Sequence, residues 1–495
     1  MEGFIVLSLA FLAASCAAFA FSRWSDSPRR RGKFPPGPPR LPILGNILQL
    51  GPNPHKSLAH LAQTYGPLMS LNLGNQFAVV ASSPEMAKEI LQKQGLVFST
   101  PFTPNAVCVL GHGEVSMNML PATSNVWKKL RRIAAEKLFS NPALVATQDI
   151  RRERLRKLTD YVTECSRDGR AMNVGEATFT TMTNLMFATL FSMELAEIQK
   201  FREHVNAMTR YMGVPNVADF FPILAPLDPQ GMRRKLTRHF GSLLELVQSL
   251  IHQRLQARKA SNYLKRNDFL ETLLDLSQGN EYDLSVKEIE HMFVDIIIAG
   301  SDTSAATAEW AMVELLLHPD KLGKLKAELK SVVGEKSIVE ESDIARLPYL
   351  EAAIKEVFRL HPAAPLLAPH VAAEEARVNE YIIPKDAKVF VNVWAITRDP
   401  SIWKNAESFE PERFLHSDID FKGQHFELIP FSSGRRICPG MPLASRMLQC
   451  MVATLCHNFD WELEKGAESK QLQREDVFGL ALQKKIPLRA IPIKV

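Results

Sequence analysis

The sequence predicts an α+β fold, mainly α, in which a helical core carries small peripheral β-sheets. Across most of residues 125–365 the apolar side chains recur at the three- and four-residue spacing of helices. Strand-like stretches lie outside this block, nearer the two ends of the chain. The composition, with 46% hydrophobic residues among 495, is that of a globular protein with enough apolar surface to form a core.

The first element is an uncharged apolar segment, residues 3–21, followed by Arg23 and a basic cluster at 29–33. A helix of this length, at about 1.5 Å per residue, spans a bilayer core. No lysine or arginine precedes the segment, so the basic flank is expected to stay in the cytosol together with the body of the protein. A cleaved signal peptide is the alternative, since small residues at 17–20 resemble a cleavage site, but its positive leading region is missing.

The next element is a spacer that contains the run Phe34–Pro39. Proline fixes φ and removes a backbone donor, so this stretch is expected to be stiff and extended. We therefore predict a transmembrane anchor at 1–22, a basic and Pro-rich hinge at 23–46, and one large domain at 47–495.

Within the large domain, turn and capping residues set the expected boundaries of the elements. A helix is predicted over Pro54–Tyr65 and a hairpin over Leu68–Val80, turning at Gly74-Asn75. Another helix is expected to start at Ser83-Pro84, with serine as the cap. Further predictions are a long apolar helix at roughly 286–317 and strand-like pieces at 376–383, 387–393, 459–463 and 476–493.

Two broad functional classes are not supported by the sequence. The six cysteines are far apart, and none has the short C-x-x-C spacing of a structural zinc site. The net charge of +5 is not gathered in a basic stripe interleaved with aromatic residues, so no nucleic-acid partner is expected.

The segment Phe431–Gly440 is the strongest chemical signal in the chain. It is a glycine-punctuated loop that ends in Cys438 and leads into a helix from about Met441. A sulfur there can accept backbone N–H groups near a positive helix end, which favours the thiolate, and Arg436 suits an anionic partner. The pattern Phe-x-x-Gly-x-Arg-x-Cys-x-Gly resembles the heme-binding signature of the cytochrome P-450 family and matches it at every fixed position. The resemblance implies the cytochrome P-450 fold, with Cys438 as the axial thiolate of a heme iron and with Phe431, Arg436 and Gly440 in the cofactor site.

An acid and two arginines form a second set. Glu356 and Arg359 lie three residues apart on one helix face, and Arg413 follows in the segment Phe409–Phe414. By itself such a pair is typical of a surface salt bridge worth less than about 1 kcal/mol. The family resemblance instead implies a buried ion network that supports the heme-side core.

Trp127 and Arg131 resemble the Trp-x-x-x-Arg helix whose side chains bind a heme propionate, and their spacing places both on one face. The neighbouring basic residues Lys128, Lys129 and Arg132 are expected to face solvent. Two interpretations stay open for them: contact with an acidic reductase surface, or a plain solvated face.

Two positions depart from the family pattern. His370 stands where many members have an arginine that reaches a propionate; a histidine can still donate a hydrogen bond, but its charge depends on its surroundings. Pro101 stands where members often carry arginine, so the loop behind it is expected to have its own shape.

The segment Ala299–Thr303 interrupts the long apolar helix with poor helix formers. The Thr303 hydroxyl can bond the carbonyl four residues back, that of Ala299, and such a stretch can bulge and admit water. The resemblance is to the family's oxygen-binding groove, which implies that Thr303 and Asp302 are catalytic: Thr303 would steady the iron-bound peroxide, and Asp302 would feed protons toward it.

Alignment with the family also implies a substrate pocket. Its candidate residues are mainly apolar, which suits a hydrophobic ligand. They are Phe102, Val107, Ile298, Ala299, Leu366, Leu367 and Phe478.

The resemblance implies a heme-thiolate monooxygenase of the plant microsomal type, held in the endoplasmic reticulum membrane with a cytosolic catalytic domain. Its cofactor would be heme b, its oxidant O2, and its electrons would come from NADPH through a membrane-bound cytochrome P-450 reductase. Segments such as 83–91 and 221–231 resemble the group of geraniol hydroxylases and ferruginol synthases. A lipophilic terpenoid substrate, a monoterpenol or an abietane-type diterpene, is therefore expected. The alternatives are an alkaloid or phenolic hydroxylase, a heme-thiolate isomerase or dehydratase, and a non-enzymatic heme carrier.

Overall fold

The computed structural model describes residues 34–279, 282–336, 338–464 and 472–495. The predicted anchor at 1–22 and the first part of the hinge lie outside these residues. Within the described ranges, no helix is both long and apolar enough to cross a membrane.

Helices dominate the fold, as the sequence predicts. Their starts are fixed by the capping residues in the expected way: the Ser83 hydroxyl accepts from the Met86 amide, and Pro84 is the first helical residue. The α-helices are α1 Ile47–Leu50, α2 Pro54–Tyr65, α3 Pro84–Lys88, α4 His112–Val115, α5 Asn125–Ile133, α6 Asn141–Ala146, α7 Gln148–Arg167, α8 Val174–Phe191, α9 Ile198–Gly213, α10 Val217–Phe220, α11 Met232–Ala257, α12 Phe269–Gln278, α13 Val286–Leu317, α14 Pro319–Val333, α15 Glu341–Ile344, α16 Pro348–Leu360, α17 Val393–Ile396 and α18 Met441–Asn458.

The strands are short and form small separate sheets. The strands are β1 Leu68–Leu73, β2 Gln76–Ala81, β3 Thr100–Pro101, β4 Met172–Asn173, β5 His370–Val371, β6 Ala376–Val378, β7 Tyr381–Ile383, β8 Lys388–Val391, β9 Phe459–Leu463, β10 Asp476–Val477, β11 Gln483–Lys484 and β12 Arg489–Lys494. A five-stranded sheet has the order β1-β2-β8-β5-β3, in which only the β2–β8 pair is parallel. A three-stranded sheet has the order β4-β12-β9, and two hairpins pair β6 with β7 and β10 with β11.

Most predicted elements are confirmed, and two strand predictions are refined. The stretch 376–383 is a hairpin of two strands, because Asn379 takes a left-handed φ of 53° and reverses the chain. The stretch 476–493 divides among three strands, of which only β12 pairs with β9.

The long helix α13, called the central helix below, organises the core. A capping box of Ser285 and Glu288 begins it, and α8 packs closely along it. Between residues 291 and 315 every side chain is buried except at Ala299, Gly300 and Thr303. The middle of the helix therefore presents one short accessible groove inside an otherwise packed core.

Candidate functional site

The Cys438 loop is a closed turn held by its own backbone. The Cys438 amide donates to the Phe431 carbonyl at 2.9 Å, and a 3-10 turn, Gly434–Arg436, lies between them. Gly434 has a φ of +67°, and a Cβ there would lie 2.0 Å from the Leu91 carbonyl oxygen. Only glycine satisfies both conditions, which explains its fixed place in this loop.

The Cys438 sulfur is the reactive atom of this loop. Burial raises the pKa of the Cys438 thiol, whereas hydrogen bonds from the Gly440 and Met441 amides and the charge of Arg131 lower it. The amide donors are those that the sequence predicts. The stabilising cation is Arg131, on α5, rather than Arg436 in the loop itself.

A cationic cluster lies beside the loop. The Arg131 guanidinium donates to the Ile437 carbonyl, and the guanidinium carbon of Arg436 is 5.5 Å from the centre of the Trp127 ring. Burial and the nearby charge of Arg131 lower the pKa of Arg436 to about 10. Among the described residues, no carboxylate forms a salt bridge with either arginine.

Two partly buried guanidinium groups with no carboxylate partner suit an anionic ligand. Together with a thiol that accepts two amide donors, they fit a heme: sulfur for the iron and arginines for the propionates. Trp127, Arg131, Arg436 and Cys438, which are far apart in sequence, are thus brought to one place.

The two departures from the family pattern, Pro101 and His370, are paired with each other. They are register partners in the β3–β5 strand pair. His370 is buried, and its Nδ1 has no hydrogen-bond partner in the described part of the chain. Burial, together with the charge of Arg436, lowers the pKa of His370 to about 4. His370 is therefore neutral near pH 7 and carries a free ring nitrogen.

The accessible groove of the central helix contains the predicted Thr303 contact. The Thr303 hydroxyl donates to the Ala299 carbonyl at 2.7 Å, one turn back. This bond occupies the carbonyl and holds the hydroxyl at the groove, beside the exposed Ala299.

Asp302 has a different environment from its neighbour Thr303. Its carboxylate is buried and accepts from the Gln483 amide at 2.7 Å, and its other oxygen has no hydrogen-bond partner among the described residues. Burial raises the pKa of Asp302 to about 6, although Gln483 opposes the shift. No hydrogen bond joins Asp302 directly to Thr303, so its role in proton supply stays a prediction.

The Glu356 carboxylate is the centre of the predicted ion network. It accepts from Arg359 at 2.7 and 2.8 Å, from Arg413 at 3.0 Å and from the Glu410 amide at 2.8 Å. Glu356 and Arg359 are fully buried. The three side chains therefore form a buried network rather than a surface pair, and its role in supporting the heme-side core stays a prediction.

The predicted pocket residues do not form one cluster. Val107 and Ile298 pack in the main core, Leu366 and Phe478 in a second apolar cluster, and Leu367 against a third. Ala299 is exposed at the groove of the central helix. Their common role in substrate binding stays a prediction.

Phe102, the remaining candidate, covers a buried lysine. The Lys388 ammonium lies 3.8 Å from the centre of the Phe102 ring and 3.4 Å from the Asp219 carbonyl oxygen. Burial lowers the pKa of Lys388 to about 8. The pocket prediction did not include this ammonium group.

The basic residues next to Trp127 are partly engaged within the chain. Lys129 forms a salt bridge with Glu288 at 2.7 Å, and Arg132 pairs with Glu136 at 2.8 Å. Both contacts favour an intramolecular role for these two side chains.

Sequence reasoning missed a buried acid in the central helix, Asp295. It lies in the apolar run Phe293–Ile298 and is only 4% exposed. An acid inside a run that is hydrophobic on all sides is a signal that could have identified it, because such a group needs polar partners.

Comparisons with known proteins agree with the geometry. A family model described as Cytochrome P450 matches residues 35–488. The chain is 80% identical to an 11-hydroxysugiol 20-monooxygenase of Salvia miltiorrhiza and 79% identical to a carnosic acid synthase of Rosmarinus officinalis, each over all of both chains. It is 48% identical to a ferruginol synthase of Isodon rubescens over 99% of both chains.

Proposed function

The chain belongs to the cytochrome P450 family, and on that basis we propose that it oxidises an abietane-type diterpenoid at carbon 20. Family membership implies a heme iron, O2, a reductase that supplies electrons and a lipophilic small-molecule substrate. The observation that carries the proposal is the identity of about four-fifths, over full length, with an 11-hydroxysugiol 20-monooxygenase and a carnosic acid synthase. The ferruginol synthase is less similar, at 48% identity, so the oxidations named for the two more similar relatives are favoured.

The bound group would be heme b, held by the residues of the cationic cluster and the Cys438 loop. Cys438 would provide the sulfur ligand, with the Gly440 and Met441 amides compensating its charge. Arg131, Arg436 and the Trp127 ring N–H would hold the propionates. Heme with a thiolate ligand supplies the activation of O2 and the insertion of one oxygen atom into a C–H bond.

The remaining chemistry falls to the central helix. The second oxygen atom leaves as water, which requires two electrons, from NADPH through the reductase, and two protons. Thr303 would accept a hydrogen bond at the groove, since the single hydrogen of its hydroxyl is engaged with the Ala299 carbonyl and its oxygen keeps acceptor positions. Asp302, with a pKa near 6, can exchange a proton near neutral pH.

We also propose attachment to the endoplasmic reticulum membrane through residues 1–22, with the domain 47–495 in the cytosol. An exposed apolar surface supports this: Ile43, Leu48, Ile223 and Leu227 are 64%, 67%, 84% and 72% exposed. The two segments that carry them meet at the β1–β2 turn, where the Gly74 amide donates to Leu44 and the Asn75 amide to Phe220. Such a surface next to the hinge suits contact with lipid.

The test of the function is turnover by microsomes that contain the chain and a reductase, supplied with NADPH, O2 and 11-hydroxysugiol. We expect one oxygen atom to be added at carbon 20, with alcohol, aldehyde and acid products showing how many oxidations follow. A Cys438→Ser variant should lose the CO-bound spectrum of thiolate ligation and the activity. Turnover without NADPH or O2, or oxidation of alkaloid phenols or monoterpenols in preference, would overturn the proposal.

A further inference from the structure

A buried polar cluster joins the candidate pocket loop to the central helix. It comprises His112 and Ser116 from α4 and its end, and His291 and Asp295 from the central helix. We call these four residues the His–Asp latch. All four are at most 4% exposed, and none has a role in the mechanism above.

Asp295 is the centre of the latch. Its two carboxylate oxygens share the single hydrogen of the Ser116 hydroxyl, each at 2.9 Å from the hydroxyl oxygen, and one of them also accepts from the Asn118 side-chain amide at 3.0 Å. His112 Nε2 lies 3.3 Å from the same carboxylate. A buried carboxylate with several donors is held in one geometry, because the loss of a donor raises the cost of keeping the group buried.

The histidines extend the latch along the central helix. His112 Nδ1 lies 3.0 Å from His291 Nδ1, so one of the two nitrogens must carry the shared proton. The Phe240 ring, from α11, packs against both imidazoles, at 4.5 Å from His112 and 5.8 Å from His291. His291 and Asp295 are one helical turn apart, so the contacts follow one ridge of the helix.

The loop held by the latch also holds Arg436. The Arg436 guanidinium donates to the Asn118 carbonyl at 2.9 Å and to the Leu120 carbonyl at 2.8 Å. Residues 102–111, which include the candidate pocket residues Phe102 and Val107, precede the latch directly. One loop, 102–120, therefore connects the pocket wall, the central helix and a proposed propionate ligand.

We propose that Asp295 and His112 are positioning residues that fix the 102–120 loop and so determine which carbon of the substrate is oxidised. The inference rests on the proposed function, since it takes that loop as part of the substrate pocket. It adds a determinant of specificity that touches neither substrate nor cofactor. The effect acts through the shape of the loop and the position of its carbonyls.

The chain offers a matched control on the same two elements. Lys287 and Glu114 form a salt bridge at 2.7 Å between α4 and the central helix, but their side chains are 46% and 73% exposed. An exposed pair of this kind contributes little to structure. Glu114→Ala therefore removes a contact between the same elements without touching the latch.

The test uses the heme-loaded full chain in microsomes or detergent, with Asp295→Ala, His112→Phe, Asp295→Asn and Glu114→Ala. His112→Phe keeps a ring against Phe240 while removing the hydrogen bonds. Heme content and the CO-bound spectrum identify folded protein. Hydrogen–deuterium exchange of peptides covering 102–120 reports the loop without substrate, and kcat, KM and the ratio of oxidation products report specificity.

For Asp295→Ala and His112→Phe we expect hydrogen–deuterium exchange in 102–120 to accelerate about tenfold, because both variants remove buried hydrogen bonds that hold this loop. KM should rise about tenfold with a smaller change in kcat, and a second oxidation product should appear. Asp295→Asn keeps the side-chain shape and some of the hydrogen bonds, so its ratio of oxidation products should be close to that of the wild type. Glu114→Ala should match the wild type within about twofold.

Unchanged exchange and unchanged product ratio in both latch variants, with intact heme, would overturn the inference. So would equal effects of Glu114→Ala. If Asp295→Ala does not fold, His112→Phe and Asp295→Asn decide the question by the same measurements. Failure of the proposed function gives a different result: the wild type itself would not oxidise the diterpenoid, while the exchange of the loop would still respond to the latch variants.

Discussion

Replacement of Glu356 by glutamine tests whether the buried ion network stabilises the fold. One carboxylate oxygen accepts only from Arg359 Nε, at 2.7 Å, and the other accepts from the remaining three donors. In Glu356→Gln the side-chain amide must take one of these positions, so a donor would face the Arg359 N–H. The fully buried Arg359 charge would also lose its counterion.

The expected loss follows from these contacts. Removing one partner of a buried ion pair costs about 3–5 kcal/mol. A protein domain has about 5–15 kcal/mol of net stability, so the variant would lose a large share of it. The carbonyls of Thr397, Ala406 and Ser408, which accept from Arg359, remain and limit the loss.

Urea unfolding followed by tryptophan fluorescence measures this difference, with the CO-bound spectrum as a second reading of the intact heme site. The matched control is Glu410→Gln: its carboxylate also contacts Arg413, at 3.2 Å, but its side chain is 35% exposed. The control should lose less than about 1 kcal/mol. Equal free energies of unfolding for the two variants would refute the reasoning.

Three further predictions concern groups with shifted pKa values. Asp302→Asn should lower kcat about a hundredfold and remove the pH dependence near pH 6 from the pH–rate profile, because burial raises the pKa of Asp302 to about 6; an unchanged profile would contradict this. Lys388→Met should raise the free energy of unfolding at pH 7 by about 1–2 kcal/mol. A pKa lowered to about 8 means that the buried Lys388 charge destabilises the fold. The contact between the Lys388 ammonium and the Phe102 ring, which the variant loses, offsets part of this gain. This gain should shrink as pH rises from 8 towards 10.5, measured by urea unfolding. His370→Gln should make the free energy of unfolding less sensitive to acid. Because the folded pKa of His370 is about 4, keeping this histidine neutral costs the wild type up to about 3 kcal/mol of stability as pH falls from 6.5 to 4. The melting temperatures of wild type and variant, compared at pH 5 and pH 7, measure this difference.

Local chemistry and short spacings made much of the fold and site predictable. Helix α2, the hairpin at Gly74-Asn75 and the capped start at Ser83 follow from turn and capping rules that act within a few residues. The Thr303 bond to Ala299 is likewise a contact within one helical turn. The spacing of Glu356 and Arg359 predicted that they lie on one helix face, whereas the prediction that they are buried came from the family resemblance.

Features that depend on long-range packing were not predictable in this way. Asp295 meets Ser116 across 179 positions of sequence, and no local pattern encodes such a contact. The identity of the cation that lowers the pKa of Cys438 is of the same kind, since Arg131 reaches the loop from a helix about 300 residues earlier in the chain. The environment of His370, and therefore its neutral state, depends on burial that the tertiary fold alone provides.

The pairing of Pro101 with His370 has an evolutionary consequence. The two departures from the family pattern occupy facing positions of one strand pair, so together they form a single local change in charge. Contacting positions do not contribute independently to free energy. The effect of introducing arginine at one of these positions therefore depends on the residue at the other. In laboratory evolution of this chain, we expect the two positions to change together.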